Sequence, residues 1–233
     1  MRILAVGAHP DDLEILCSGT LARYVAQGHH VIMARVCRGD KGHGEISHYE
    51  VAAIRDKEAT AAAEVIGAKA MLVDVPDCEL YVNDDTMRHV VDLIRIARPD
   101  LIITHRPDDY HGDHKAVTKL VLDASFAATL PYFITSQPAH PIAPPIYFMD
   151  TVAGIDFTPA EYVDITDTLD LKINAMARHE SQITWLKEHH ATDILDFIEI
   201  MARFRGLQCG VKYAEGFQSM RAWGRLSSER LLP

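Results

Sequence analysis

The chain has 233 residues, of which 48% are hydrophobic and 24% are charged, and its formal net charge is −10. This size and composition are typical of a globular protein, and we expect residues 1–233 to form one domain. The negative charge and the lack of a dense Lys/Arg run argue against a nucleic-acid partner, because phosphate binding requires a basic surface.

The cysteines and the N-terminus indicate the cellular compartment. Cys17, Cys37, Cys78 and Cys209 show no C-x-x-C spacing, which favours reduced thiols over disulfides or a metal clip. No apolar run approaches the ~18 residues that a membrane span needs. The N-terminus enters an apolar strand at once, without the features of a signal peptide. We therefore expect a cytoplasmic protein with no membrane partner.

Strands and helices alternate along the chain. Predicted strands cover residues 3–6, 30–36, 70–75, 101–104, 146–152 and 161–165. Predicted helices cover residues 14–27, 49–66, 84–97, 115–128, 167–187 and 193–205. A segment at residues 213–217 then leads into a less patterned end. The alternation indicates an α/β, Rossmann-like three-layer fold with a mainly parallel sheet.

Two irregular segments interrupt this pattern. Residues 38–44 are rich in glycine and predict a flexible loop at the carboxyl end of the second strand. Residues 130–145 contain five prolines and predict a long loop that forms a lid or a rim of the pocket. We expect substrate specificity to lie in these two loops.

Two clusters of His and Asp follow predicted strands. Ala8-His9-Pro10-Asp11-Asp12 comes after the first strand, which Pro10 ends because it has no N–H to donate to a sheet. His111-Gly112-Asp113-His114 comes after the strand at residues 101–104. Ligands of open α/β sheets bind at the carboxyl ends of the strands, so we expect the clusters to form an active site at that edge.

The residue types in these clusters are typical of an open catalytic metal site. His9, one of Asp11 and Asp12, and one of His111 and His114 supply three ligands without a cysteine. The remaining carboxylate is suited to take a proton from water, and the remaining imidazole to stabilise an oxyanion or protonate an amine. Asp113 is placed to orient a histidine. In the alternative interpretation the Asp pair is only a helix cap and the His pair an exposed helix face.

These clusters resemble the paired signature of the LmbE/PIG-L family of metal-dependent N-acetylglucosaminyl deacetylases. Further similar segments follow in the same order: Arg55 with Glu58, residues 172–175 leading to His179-Glu180-Ser181-Gln182, and residues 213–217. The late segments are most similar to the bacillithiol-pathway branch, which acts on an N-acetylglucosaminyl malate. The resemblance implies hydrolysis of the N-acetyl group of an N-acetylglucosamine conjugate.

The resemblance also implies a role for each residue of the site. His9, Asp12 and His114 would bind the metal, and Asp11 would be the general base. His111, held by Asp113, would be the protonated electrophile and acid. Arg55 would contact the substrate, although it could instead pair with Glu58 on an exposed helix face.

The implied cofactor is Zn²⁺, with Fe²⁺ and other divalent metals as alternatives because sites of nitrogen and oxygen accept several of them. The implied partners are the small-molecule conjugate and further copies of the chain in a homo-oligomer such as a hexamer. Two other functions remain open from the residues alone. One is a non-haem iron enzyme with a site of two histidines and one carboxylate, and the other is a Rossmann-like binding protein without catalysis.

Overall fold

The computed structural model describes residues 1–233, and all seven strands lie in one sheet. The strands β1 to β7 are Arg2–Gly7, His30–Cys37, Lys69–Val75, Leu101–Thr104, Ile146–Met149, Glu161–Asp164 and Ala214–Ser219. The helices α1 to α8 are Asp12–Leu16, Ser18–Ala26, His48–Ile66, Asp84–Ala97, Gly112–Ala127, Leu169–Met176, Glu180–His190 and Ile194–Cys209. A short 3-10 turn covers Val152–Gly154.

The strand order is β3-β2-β1-β4-β5-β7-β6. The first five strands of this order are parallel, and β7 pairs antiparallel with both β5 and β6. The chain therefore adds β2 and β3 on one side of β1 and then crosses back to add β4 on the other side. The connections after β1 and β4 leave a crevice at this reversal, where open α/β sheets bind ligands. The predicted α/β fold with a mainly parallel sheet is confirmed.

Helices cover both faces of the sheet. Ile3 and Ala5 of β1 pack in one apolar cluster together with side chains of α2 and α3. Leu4 and Val6 face a second cluster with side chains of α4 and α5. Because β1 is buried on both faces, its sequence is a continuous apolar run. None of the helices is both long and apolar enough to span a membrane.

Two predicted helices are each divided in the structure. The helix predicted at residues 14–27 is α1 and α2, separated at Cys17, where φ is −147° and ψ is 5°. The carboxylate of Glu215 on β7 accepts hydrogen bonds from the amides of Gly19 (3.0 Å) and Thr20 (2.7 Å). These two amides in the first turn of α2 have no acceptor within the helix, so Glu215 allows a second helix to begin here. The helix predicted at residues 167–187 is likewise α6 and α7, with residues 177–179 between them.

Strand β7 is absent from the predicted elements, although it lies between β5 and β6 in the sheet. Its sequence, Ala-Glu-Gly-Phe-Gln-Ser, lacks β-branched residues, so its strand propensity is low and only its partners make it a strand. The strand predicted at residues 146–152 ends earlier, because β5 stops at Met149 and the 3-10 turn follows.

The proline-rich segment at residues 130–145 is irregular, as predicted, but it lies at the far edge of the sheet. Nε2 of His140 is 3.2 Å from the carbonyl oxygen of Pro99, which precedes β4. Arg95 of α4 donates to the carbonyl oxygens of Leu130 and Gln137. The segment joins α5 to the parallel strand β5, and such a connection returns to the amino ends of the strands. The prediction that it forms a lid or a rim of the pocket is therefore wrong.

Candidate functional site

The first His/Asp cluster turns sharply after β1, and Asp11 and Asp12 point apart. Asp11 has φ 100°, a strained value for a residue other than glycine. A Cβ at Gly7 would lie 3.2 Å from Cβ of Asp12, so glycine permits the close return of the chain. Oδ2 of Asp12 accepts from the amides of Ala8 (3.0 Å) and His9 (2.7 Å).

The second cluster begins α5 and places His114 against the first cluster. Nε2 of His114 is 3.3 Å from Oδ1 of Asp12, and its Nδ1 is 3.1 Å from Oδ2 of Asp109. His114 is therefore held between two carboxylates and is almost fully buried. His111 caps α5, and its Nδ1 accepts a hydrogen bond from the amide of Asp113 (3.2 Å).

His9 joins the two clusters. Its Nε2 lies 3.0 Å from Oδ2 of Asp113, and its Nδ1 lies 3.5 Å from Oδ2 of Asp12. One ring nitrogen atom from each of His9, His111 and His114 lies within 4.8 Å of the other two. The structure therefore brings together all six residues that the sequence places in the two clusters.

The carboxylate of Asp113 does not hold His111, contrary to the expectation from sequence. It contacts His9 and accepts a hydrogen bond from the amide of Cys78 (2.9 Å). Only the backbone amide of Asp113 reaches His111, because the side chain of His111 folds back as the cap of its own helix. Nδ1 of His111 is thus an acceptor, which leaves Nε2 to carry the proton of the neutral ring.

Arg55 lies behind Asp11 and is buried. Its Nη2 donates to Oδ2 of Asp11 (3.1 Å) and to the carbonyl oxygen of Pro10 (2.8 Å), and its Nη1 donates to Gly39 (3.3 Å). The alternative of an exposed pair with Glu58 is wrong, because Glu58 instead accepts from the amide and hydroxyl of Ser181. Arg55 fixes the orientation of the Asp11 carboxylate.

Three buried residues of the site carry no role in the sequence-based prediction. His105 follows β4 directly, and its ring stacks on His114 with centroids 3.8 Å apart and planes 13° apart. Asp109 contacts His114, and both residues could have been found from their position between β4 and the second cluster. His179, which belongs to one of the segments similar to the family, has its Nε2 3.4 Å from Oε1 of Glu14 and is placed by the break between α6 and α7, a break that no local pattern predicts.

Burial and neighbouring charges shift the pKa values of the site. Burial raises the pKa of Asp11 to about 6, although Arg55 opposes the rise. Burial also disfavours the charged form of Asp12, but His114 and His105 outweigh it and hold the pKa of Asp12 well below its usual value. Burial and the neighbouring His114 and His9 lower the pKa of His111. Burial thus moves the pKa of Asp11 toward neutral pH, whereas a cation bound beside it would favour the ionised carboxylate.

Two groups of donor atoms that share His114 lie close enough together to hold a metal ion: His9, His111 and His114, and Asp12, His105 and His114. Asp12 offers a carboxylate oxygen, and His9 and His114 turn Nδ1 and Nε2 respectively toward it. The carboxylates of Asp113 and Asp109 lie on the other nitrogens of these two rings, an arrangement that orients histidine ligands in metalloproteins. Two imidazoles and one carboxylate are a common ligand set of catalytic sites that keep a position for water.

The chain is similar to known proteins over most of its length. Diacetylchitobiose deacetylase from Thermococcus kodakarensis is 29% identical over 93% of this chain and 82% of its own length. The structure of N,N'-diacetylchitobiose deacetylase from Pyrococcus horikoshii superposes with a TM-score of 0.82 at 28% identity, covering 94% of this chain and 83% of that one. The structure of GalB, the 4-carboxy-2-hydroxymuconate hydratase from Pseudomonas putida, superposes with a TM-score of 0.83 at 25% identity. The match covers 99% of this chain and 100% of the GalB chain.

A family model described as PIG-L, GlcNAc-PI de-N-acetylase, matches residues 4–125, more than half of the 233 residues. The matched region contains most of β1, all of β4 and both His/Asp clusters, so it includes the residues that form the site and the strand ends that position them. The chain therefore belongs to the PIG-L family.

Proposed function

We propose that the protein is a metal-dependent N-deacetylase that hydrolyses the acetamide of an N-acetylglucosamine conjugate to acetate and a free amino sugar. The observation that carries this proposal is geometric: Arg55 holds the buried carboxylate of Asp11, and the next residue, Asp12, lies with His105 and His114 in a group that could hold a metal ion. Membership of the PIG-L family and the likeness to two diacetylchitobiose deacetylases support it.

In this proposal His9, Asp12 and His114 hold the cation, which is Zn²⁺ with Fe²⁺ as the alternative. When bound, a cation of this kind supplies Lewis acidity, which polarises a carbonyl group and lowers the pKa of water. Asp109 and Asp113 keep the ligand histidines in the required orientation through their second ring nitrogens.

The chain's own groups then divide the proton transfers. Asp11, oriented by Arg55, takes a proton from the water that attacks the acetamide carbon. His111 donates a hydrogen bond from Nε2 to the oxyanion, because Nδ1 is occupied by the amide of Asp113. Asp11 returns its proton to the nitrogen as the C–N bond breaks, so the amine leaves in neutral form. The neutral, hydrogen-bond-donating His111 replaces the protonated acid expected from the resemblance.

The test is acetate release from N-acetylglucosamine and its conjugates, with protein stripped of metal and refilled with Zn²⁺ or Fe²⁺. We expect no release without metal and restored release with one of them, together with about one bound ion per chain by elemental analysis. Release that is equally fast after stripping would contradict the metal dependence. Failure of every conjugate in metal-loaded protein would contradict the deacetylase assignment.

A second candidate function is the addition of water to a conjugated carboxylate. The likeness to the GalB hydratase over nearly the whole of both chains favours it. A general base beside a cation would serve this reaction as well. Incubation with 4-carboxy-2-hydroxymuconate distinguishes the two functions, because addition of water breaks the conjugation and lowers the ultraviolet absorbance. We expect no change in absorbance at enzyme concentrations that release acetate.

We also infer that residues 1–233 act as one domain in a cytoplasmic homo-oligomer. The single sheet that contains all seven strands supports one domain. Exposed apolar side chains near the far edge of the sheet, including Phe126, Tyr132 and Ile134, support self-association. Light scattering coupled to size-exclusion chromatography measures the mass, and a monomer at micromolar concentration would contradict the oligomer.

A further inference from the structure

His179 is a completely buried histidine between α6 and α7. None of its side chain is accessible to solvent, and neither of its ring nitrogens has a hydrogen-bond partner in the chain. A polar ring that leaves water without forming hydrogen bonds costs free energy, so the folded protein must stabilise it in another way. The charges of the neighbouring side chains provide this stabilisation.

The nearest of these charges is the carboxylate of Glu14 on α1. Nε2 of His179 lies 3.4 Å from Oε1 of Glu14, whose side chain is only 4% exposed and which forms no other ion pair. Burial lowers the pKa of His179, but Glu14 and Asp11 outweigh burial and raise this pKa above its usual value, against the opposing charge of Arg55. The surroundings therefore favour a charged imidazolium ring that faces a buried carboxylate.

Glu14 and Asp11 are two buried carboxylates within one turn of chain, and each is paired with a different cation. Nη2 of Arg55 is 3.1 Å from Oδ2 of Asp11, whereas His179 faces Glu14. A buried carboxylate that loses its partner is strongly unfavourable and attracts any other cation within reach. The presence of His179 therefore leaves Arg55 with Asp11 as its only carboxylate.

The other cations near Glu14 are already engaged. Arg35 is buried and within electrostatic reach of Glu14, but its guanidinium pairs with Asp56 of α3. Arg55 is the remaining cation, and its guanidinium lies close enough to act on the charge of His179. Without the imidazolium ring, Glu14 would compete with the proposed general base for Arg55.

We propose that His179 is a positioning residue for the general base: its imidazolium ring pairs with Glu14 and thereby reserves Arg55 for Asp11. The proposal rests on the proposed deacetylase function and adds to it a residue that touches no reacting atom. The break between α6 and α7 then has a function, because it places the imidazole behind the site.

The first experiment compares crystal structures of the unmodified protein, His179→Gln, and the double variant Glu14→Gln, His179→Gln. Glutamine keeps hydrogen-bonding groups but carries no charge. In His179→Gln we expect the guanidinium of Arg55 to turn from Asp11 toward Glu14. In the double variant the carboxylate of Glu14 is gone as well, so the 3.1 Å contact between Arg55 and Asp11 should return. An unchanged contact with Asp11 in His179→Gln would overturn the proposal.

The second experiment measures acetate release by the zinc-loaded proteins. His179→Gln should lower kcat ~10- to 100-fold with KM and bound zinc unchanged, since a reacting group misplaced by about 1 Å can cost ~10²-fold. Adding Glu14→Gln should restore most of this loss, and Glu14→Gln alone should cost less than His179→Gln. A residue that only supports the fold would not be rescued by a second substitution at its partner.

The matched control is His140→Gln. His140 is also a buried histidine with an unpartnered Nδ1, but it lies at the far edge of the sheet beside Pro99. His140→Gln should leave kcat unchanged, and a loss equal to that of His179→Gln would overturn the positioning role.

The outcomes separate the inference from the proposed function. Acetate release by the unmodified protein with an unaltered kcat in His179→Gln would overturn the inference while the deacetylase function stands. No acetate from any protein would overturn the deacetylase function, and the movement of Arg55 in the crystal structures then decides the inference. If His179→Gln fails to fold, folding of the double variant would support the pairing of charges, whereas failure of both variants to fold would overturn it.

Discussion

At the scale of single residues, Asp11 combines a left-handed backbone, a buried carboxylate and one cationic partner, Arg55. We predict that Asp11→Asn lowers kcat ~10²- to 10⁴-fold, because positioned proton transfer contributes about that much. Bound zinc, measured by elemental analysis, should remain at the level of the unmodified protein. Normal turnover of this variant would refute the role of Asp11 as a base.

The pKa of Asp11 also predicts how activity depends on pH. Burial raises this pKa to about 6 against the opposing effect of Arg55, and only the ionised carboxylate accepts a proton. A bound cation favours the ionised carboxylate and lowers this pKa again. The value of kcat/KM of the zinc-saturated enzyme should therefore be constant above about pH 6 and fall about tenfold per unit below the pKa of Asp11. An acid limb of the pH profile that Asp11→Asn leaves in place would show that another group is the base.

His105 is expected to support metal binding by holding His114 and Asp12 in place. Its ring stacks on His114, and its Nε2 is 3.0 Å from the amide of Ala8 and 3.3 Å from Asp12. We predict that His105→Ala weakens zinc binding ~10- to 100-fold, a typical loss when the groups behind metal ligands are removed. His140, another buried histidine, provides the control, since His140→Ala alters packing at the far edge of the sheet. Competition with a fluorescent chelator gives both affinities, and equal losses would indicate a general effect on stability.

The sequence distinguishes the residues of the site only in part. Residue types and their positions after two strands identify both clusters, because carboxyl ends of parallel strands share one edge. Which of Asp11 and Asp12 faces the histidines depends on the left-handed backbone of Asp11, and residue propensities do not predict this conformation. The partners of His111 and Asp113 likewise depend on a cap and on a loop amide, both set by tertiary structure.

At the scale of elements, β7 stabilises the start of α2. Glu215 is buried, accepts from two amides of α2 and forms an ion pair with the buried Nζ of Lys172. We predict that Glu215→Ala lowers the free energy of unfolding by about 3–5 kcal/mol, since it leaves a buried charge without a partner.

The control for this prediction is the double variant Glu215→Gln, Lys172→Met. It removes the charges from both positions and should recover part of the lost stability. Urea denaturation followed by circular dichroism gives the free energies of unfolding. A double variant less stable than Glu215→Ala would contradict the assignment of the loss to the unpaired lysine.

The same contact explains which elements the sequence could predict. The strands β1 and β4 and the helices α3 and α4 follow from apolar runs, periodicity and caps within the segment itself. The break at Cys17 and the strand β7 depend on each other across nearly the whole chain, so no local pattern indicates either one.

At the scale of the molecule, the sheet separates two irregular segments with different roles. The segment at residues 38–44 covers Arg55, whereas Tyr132 and its neighbours lie at the opposite edge. We predict that Tyr132→Ser leaves kcat/KM unchanged, because this exposed side chain is far from the site. Gly42→Ala should lower kcat/KM, since the added Cβ would crowd Arg55. Steady-state kinetics on one conjugate tests both, and a large effect of Tyr132→Ser would contradict the assignment of the edges.

The composition and the strand-helix alternation predicted the class of the fold, and the motifs predicted the edge that holds the site. The position of residues 130–145 was not predictable from its prolines, because the same turn-rich composition suits a lid and a connection at the far edge. Only the pairing of β4 with β5 shows to which edge the segment returns.

The division of the site between β1 and β4 has a consequence for folding kinetics. Its two halves are separated by about a hundred residues of chain and meet only when β1 and β4 are paired. An ion held by both halves would stabilise the native state but not the early stages in which that pairing is still absent. Loading with metal should therefore slow unfolding and leave the rate of refolding unchanged, so that the cation extends the lifetime of the folded chain rather than guiding its formation.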